Sequence, residues 1–341
     1  MSQDFSSEHV NSLEEEIFQI NNEAHFEQIA LKVFYFQYKE NKVYREYCNL
    51  INKDPDSVNK LTEIPFLPIE LFKTHTITTG KNEYELLFES SGTTDMQKSR
   101  HFLKKASLYR KSFLKAFNQF YGSPEDYYIL ALLPNYMENN HSSLIYMVDE
   151  LIQLSGREDS GFYLENLQEM AYKLNKLKHK KGKIFLLGVS FALLDLAENY
   201  PVALNDAIIM ETGGMKGRRE ELTRQELHNI LKNQFQVDRI HSEYGMAELL
   251  SQAYSKGDGV FQTPPWMKIL LREYNDPFHV QNPGESNELN GGINVVDLAN
   301  LYSCAFIETK DIGKSYPDGH FEVLGRFDYS DLRGCNLMVM E

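Results

Sequence analysis

The sequence is poor in cysteine, in positive charge and in uninterrupted apolar runs. Its three cysteines, Cys48, Cys304 and Cys335, are odd in number and far apart. No pair has the close spacing of zinc ligands and no disulfide framework is implied, so a reducing, cytoplasmic compartment is expected. Runs such as YYILALLP and IFLLGVSFALLDLA are too short or too interrupted to span a bilayer, which needs about 20 apolar residues. The polar, acidic start MSQDFSSEHVNSLEEEIF is not a signal peptide. Lys and Arg number 35 against 49 Asp and Glu, a net charge of −14. Such a chain repels a phosphodiester backbone, so nucleic acid is not an expected partner. Any phosphate site has to be local, made of backbone N–H groups and a few cations. The glycine-x4-glycine-lysine-hydroxyl pattern of a P-loop is missing, as are internal repeats and low-complexity tracts.

What is present is ample apolar material. Hydrophobic residues fill 42% of 341 positions, enough for roughly two domains. Residues 10–50 carry Ile17, Ile20, Phe26, Ile29, Val33 and Phe36 at helical spacing, which predicts two or three aromatic-rich helices. Pro65 and Pro68 then argue for an extended segment through EIPFLPIELFKTHTI. From about residue 84, strand-like runs (YELLFES, DYYILALLP, KIFLLGVS, AIIMETGG, RIHSEYGMAE) alternate with helical ones (HFLKKASLYRKSFLKAFNQFYG, HSSLIYMVDELIQLSG, LQEMAYKLNKLKHKKG, FALLDLAENY, RQELHNILKNQFQ). After residue 255 the helical patterns fade into short strands and turns. The expected fold is α/β: an N-terminal helical region, mixed and parallel sheets flanked by helices, and a β-rich C-terminal part. The expected divisions are 1–80, 81–255 and 256–341.

The stretch LFESSGTTDMQKSR gathers Ser90, Ser91, Gly92, Thr93 and Thr94, with Lys98 just beyond. Hydroxyls around one glycine, with a nearby cation, suit a loop that holds an anion, although a polar turn also explains them. In HSEYGMAE, Tyr244 could stack on a base and Glu248 could ligate magnesium, a hard cation that shares oxygen ligands with phosphates. In ETKDIGK, Asp311 is placed in a turn, where it could accept hydrogen bonds from ribose. In LGRFDYSDLRG, Arg326 offers a phosphate-binding fork. LLGVSFALLD puts Ser190 between a strand and a helix, as in a nucleophile elbow. Ala192 stands where that motif needs a second glycine, so a serine hydrolase is disfavoured.

These elements, in this order, resemble the adenylate-forming superfamily of acyl-CoA synthetases, firefly-type luciferases and peptide-synthetase adenylation domains. More particularly, IPFLPIELFKTH, SSGTT…QKS, LALLPNYMENNHSSLIYMV and SDLRGC look like the LuxE-type acyl-protein synthetases of bacterial bioluminescence. That likeness runs from about residue 60 to the C-terminus. It implies ATP and Mg²⁺ as cofactors and a carboxylic acid, expected to be a fatty acid, as substrate. It also implies a thiol acceptor: CoA, or a partner such as a fatty acid reductase or carrier protein. By motif, Ser90 to Thr94 and Lys98 would hold phosphates, Tyr244 would stack adenine, and Glu248 would ligate the metal. Asp311 would bind ribose and Arg326 would contact the nucleotide. Gly213 and Gly214 resemble the glycine turn beside adenine, Tyr136 and His141 fall where the acid is expected, and Cys335 is the candidate acyl acceptor. Two departures stand out. Asp95 and Gln97 replace the usual glycine and proline before the lysine. The chain also stops 15 residues after Arg326, so the small C-terminal domain and its adenylation-promoting lysine are expected to be missing. The alternative expectation is a degenerate relative that binds nucleotide, or transfers acyl groups, without adenylation.

Overall fold

The computed structural model describes residues 7–81, 83–90, 97–134, 141–163, 166–213, 222–282 and 288–327. Ser91, Gly92, Thr93, Thr94, Tyr136, Gly214 and Cys335 therefore lie outside the described residues.

Three N-terminal helices match the expectation: α1 (Ser7–Ile17), α2 (Glu23–Glu40) and α3 (Lys42–Leu50). Asn22 and Asn41 cap α2 and α3, their side chains accepting from His25 N at 2.9 Å and Tyr44 N at 3.0 Å. The helices are riveted to the distant C-terminal region. Gln37, fully buried on α2, donates to Asn300 O and Leu301 O and accepts from Ala305 N at 2.9–3.0 Å. Phe34, Tyr44 and Phe66 surround Phe306, each with its ring centroid 6.1–6.4 Å away. Such aromatic contacts add to plain area burial.

The proline segment is not wholly extended. It forms a short strand β1 (Leu67–Pro68) and then one helical turn, α4 (Leu71–Thr74). Proline blocks a helix that runs through it but does not oppose one that starts after it. Next come β2 (Leu86–Glu89) and β3 (Arg100–Leu103), an antiparallel hairpin. The helix expected from His101 thus begins later, as α5 (Ala106–Tyr121), because pairing with β2 claims the first residues. Gly122 ends it with φ +86°, as expected.

An alternating block follows: β4 (Tyr127–Leu132), α6 (Ser143–Ser155), β5 (Gly161–Phe162), α7 (Leu167–Leu177), β6 (Lys183–Val189), α8 (Ser190–Asn199), β7 (Ile208–Thr212), α9 (Arg224–Phe235) and β8 (His241–Tyr244). These strands pair in parallel, in the order β8-β7-β6-β4-β5. β4 is buried at every position, as a strand covered by helices on both faces must be. The β-rich remainder is β9 (Ala253–Ser255), β10 (Val260–Gln262), β11 (Met267–Arg272), β12 (Val280–Gln281), β13 (Leu289–Asp297), β14 (Phe306–Ser315) and β15 (Phe321–Arg326). It continues the same sheet antiparallel, in the order β12-β11-β13-β14-β15-β10-β9-β8, and β1 joins β14 in parallel. The sheet thus changes from parallel to antiparallel at β8.

Candidate active site

In open α/β sheets, ligands sit outside the carboxyl ends of the strands. Here β7 ends at Thr212, just before Gly213, and β8 ends at Tyr244, so both predicted turns fall on that edge. Gly213 has φ +70°, a left-handed conformation natural to glycine. Gly245 is required for another reason: a Cβ there would lie 2.3 Å from Glu243 Oε1.

Asp311 is not in a turn. It lies inside β14, where alternating burial turns it inward, and it pairs in register with Arg326 of β15. Its Oδ2 accepts from the Tyr244 hydroxyl at 2.8 Å, and Arg326 Nε lies 3.1 Å from Oδ1. Burial raises the Asp311 carboxyl above the ordinary carboxylate range, while Tyr244 and Arg326 pull it back. The Tyr244 ring meets Phe261 and Phe321 edge-on, with centroids 6.0 and 5.6 Å away. Each carboxylate oxygen can accept more than one donor, so Asp311 keeps capacity for a hydroxyl. Arg326 is largely exposed, which leaves the rest of its fork to a ligand.

The anion loop is carried by a hairpin rather than by a strand-to-helix turn. Ser90 and Ser99 close it: Ser90 N donates to Ser99 O at 3.1 Å, and Ser99 N donates to Ser90 Oγ at 3.0 Å. Lys98 leans on Glu89 at 3.7 Å, a loose and partly exposed pair. His141 flanks the hairpin. Its Nδ1 donates to Leu87 O at 3.1 Å, and its own carbonyl accepts from Glu89 N at 2.9 Å. The structure therefore gives His141 an anchoring place at β2.

Glu248 is buried 5% exposed beside this hairpin. Burial raises its carboxyl above the usual range, opposed by a hydrogen bond from Ser99 and by the charges of Arg326 and Lys73. Its backbone is clamped from behind. Asn300 Nδ2 donates to Glu248 O at 2.8 Å, and Asp297 accepts from Leu250 N, Ser251 N and Ser251 Oγ at 2.6–2.8 Å. His101 of β3 donates from Nδ1 to Ala247 O at 2.9 Å, since a carbonyl can only accept. Burial drives this imidazole down to about 4, so it stays neutral.

Sequence reasoning missed Lys73, His101, Asp297 and Asn300. The one available signal was Asp297 and Asn300 standing inside the apolar run VVDLANLY. It also missed a buried polar floor beneath the glycine turn. Thr212 Oγ1 donates to Glu243 Oε2 at 2.6 Å, and burial, with Glu211 nearby, pushes Glu243 up to about 7. Ser190 belongs to this floor. It is buried, and its Oγ contacts Gly213 O at 2.9 Å and Glu211 Oε2 at 3.2 Å. His228 Nε2 lies 3.6 Å from the other oxygen of Glu211. That order, serine to glutamate to histidine, is not the serine–histidine–acid relay of a hydrolase.

Among the described residues no cluster of three or more His, Cys, Asp or Glu could hold a metal, and no helix is long and apolar enough to cross a membrane. Glu248 is instead a buried carboxylate beside Ser99 of the β2–β3 hairpin. That donor set fits a magnesium ion bound chiefly through substrate phosphates and water.

Comparison with known proteins gives the family and the fold. Over 71 residues the chain is 35% identical to a long-chain-fatty-acid–luciferin-component ligase of Photorhabdus luminescens, a match spanning 20% of this chain and 60% of that relative. Among solved structures it resembles ATP-bound MatB of Rhodopseudomonas palustris, with TM-score 0.52, 15% identity and coverage of 70% and 47% of the two chains. It also resembles a 2-hydroxyisobutyryl-CoA ligase in the postadenylation state, with TM-score 0.57, 11% identity and coverage of 95% and 69%. At these identities the structures establish the fold, that of the large domain of adenylate-forming enzymes. A family model described as "Acyl-protein synthetase, LuxE" matches residues 11–341, and the chain belongs to that family.

Proposed function

We propose that this protein activates a carboxylic acid with ATP and passes the acyl group to a thiol. A carboxylate oxygen attacks the α-phosphorus. The bond to the bridging oxygen breaks, and pyrophosphate leaves with the electron pair. Thiol attack on the acyl carbon of the adenylate then expels AMP and forms a thioester, releasing one proton. The observation that carries this reading is convergence. Ser99 of the hairpin hydrogen-bonds Glu248 after β8, and Arg326 bears on Glu248 while its Nε lies 3.1 Å from Asp311, which Tyr244 also meets, although these residues are spread over more than 200 positions of chain.

In this reading Ser90 to Thr94 and Lys98 hold the phosphates, Gly213, Gly214 and Tyr244 flank adenine, and Asp311 binds ribose. Arg326 meets developing charge, and Tyr136 and His141 lie toward the acid. Glu248 would hold Mg²⁺, which when bound neutralises phosphate charge. The protein's own contribution is alignment of the attack and preorganised positive charge. Cys48 and Cys304 are buried, and their thiols are pushed up, to about 12 for Cys48, which makes them poor acyl acceptors. That leaves Cys335 as the protein thiol of choice, with a partner protein or CoA as the final acceptor.

A fatty acid is the acid to test first, since the Photorhabdus relative is a long-chain-fatty-acid ligase. The test is acid-dependent pyrophosphate release from ATP and Mg²⁺ across acids from acetate to palmitate. Release with long acids is expected. No release with any acid would refute adenylation and leave a nucleotide-binding relative.

A further inference from the structure

The segment IELFKTH follows β1, and its lysine has no place in the scheme above. The turn α4 that carries it is tied to three parts of the site. At its start, Glu70 Oε1 pairs with Lys310 Nζ at 2.5 Å, and Lys310 immediately precedes Asp311. At its other end, the carbonyl of Lys73 accepts from Gln97 Nε2 at 2.7 Å, and Gln97 immediately precedes Lys98. Between them, Phe72 is fully buried edge-on against His101, with centroids 5.6 Å apart, and His101 holds the carbonyl next to Glu248. One helical turn therefore bridges the ribose side, the phosphate hairpin and the metal-side carboxylate. Lys73 sits half-buried on this bridge, its own carbonyl tied to the hairpin and its sequence neighbour Phe72 packed on His101. Among the described residues its ammonium has no carboxylate within ion-pair distance. By contrast, Lys310 on the adjoining strand is paired with Glu70.

We propose that Lys73 is a catalytic residue that contacts the ATP phosphates and neutralises charge on them during adenylate formation. This rests on the adenylation reading and deepens it: a cation from the N-terminal region completes the phosphate side of the site. A lysine ammonium is a compact charge on a long, flexible stem, suited to following the phosphates as pyrophosphate departs. Gln97 binds only the backbone carbonyl of Lys73, so replacing the side chain leaves that tie intact.

The experiment is acid-dependent ATP–pyrophosphate exchange on the full chain, with wild type, Lys73→Met, Lys73→Arg and the exposed, remote Lys176→Met. Lys73→Met should lower kcat/KM for ATP about a hundredfold with an unchanged melting temperature. Lys73→Arg should regain most of that loss, and Lys176→Met should match wild type. Wild-type kcat and KM for ATP in Lys73→Met would overturn the proposal while leaving adenylation intact. A wild-type enzyme without exchange would sink the adenylation reading instead. Calorimetric ATP affinity then decides Lys73: weaker binding by Lys73→Met supports contact with phosphate, and equal binding overturns it. Should Lys73→Met fail to fold, Lys73→Gln is read the same way.

Discussion

The two sides of the site are built differently. On the nucleoside side, Tyr244, Asp311 and Arg326 sit on strands whose register fixes them, and each satisfies another at 2.8–3.1 Å. On the phosphate side, Lys98 holds Glu89 only loosely at 3.7 Å, and Glu248 remains a buried carboxylate with raised proton affinity. One side is largely paired before a ligand arrives, with the rest of the Arg326 fork still open; the other carries charge that a ligand and its cation would satisfy. The difference suits the chemistry, because the nucleoside does not change during adenylation whereas phosphate charge moves. Preorganised binding belongs where nothing happens, and uncommitted charge where the transition state develops.

The strongest way to break this comparison is Glu248→Ala. Adenylation should fall about a hundredfold or more, since among the described residues no cluster of three or more ligating groups surrounds the site. Turnover near wild type, at saturating ATP and Mg²⁺, would remove Glu248 from the mechanism. Next is the floor beneath the glycine turn. The fold keeps Glu243 neutral up to about pH 7, against an ordinary value of 4.5. Its contribution to stability is complete below the ordinary value and is lost as pH rises through about 7. Glu243→Gln mimics the neutral form and does not titrate. Its stability should gain on that of wild type between pH 5 and 8, by about 2 kcal/mol, read as a rising difference in melting temperature. Parallel curves for the two proteins would contradict a buried neutral Glu243.

Smaller effects are expected on the preorganised side. Asp311→Ala should raise the KM for ATP about tenfold through the lost ribose acceptor, with kcat little changed. A fall in kcat at constant KM would move Asp311 from binding into the chemical step. Tyr244→Phe removes only the hydroxyl that donates to Asp311 and should cost about threefold in the same KM. A loss as large as that of Asp311→Ala would mean that the tyrosine orients the whole carboxylate.

Much of the fold was legible because its signals are local. β4 and β6 are continuous apolar runs, Gly122 and Gly156 end α5 and α6 in positive φ, and Ser142 caps α6. Asp311 was misplaced because Asp and the nearby Gly313 read as turn residues. Only pairing of β14 with both β13 and β15 makes that stretch a strand. The start of α5 was set too early for the same reason: β3 exists only because β2 is beside it. Lys73 and His101 carried no local signal, since their importance comes from contacts with residues 24 and 146 positions away.

By itself the sequence determined the alternation of strands and helices, the acidic net charge, and the hydroxyl loop, Tyr-Gly-x-x-Glu and Gly-Arg-x-Asp signatures with their family. These depend on side-chain periodicity, charge and short-range backbone preference, all of which act within a few residues. Tertiary structure alone decided that β2 and β3 form a hairpin and that Asp311 meets Tyr244 although β15, β10 and β9 lie between their strands. It also decided that a single turn after Pro68 touches the β2–β3 hairpin, the strand that carries Asp311 and the histidine that holds the carbonyl next to Glu248. Those outcomes follow from which buried faces pack together and which backbone groups find partners far along the chain, where local preference has no say.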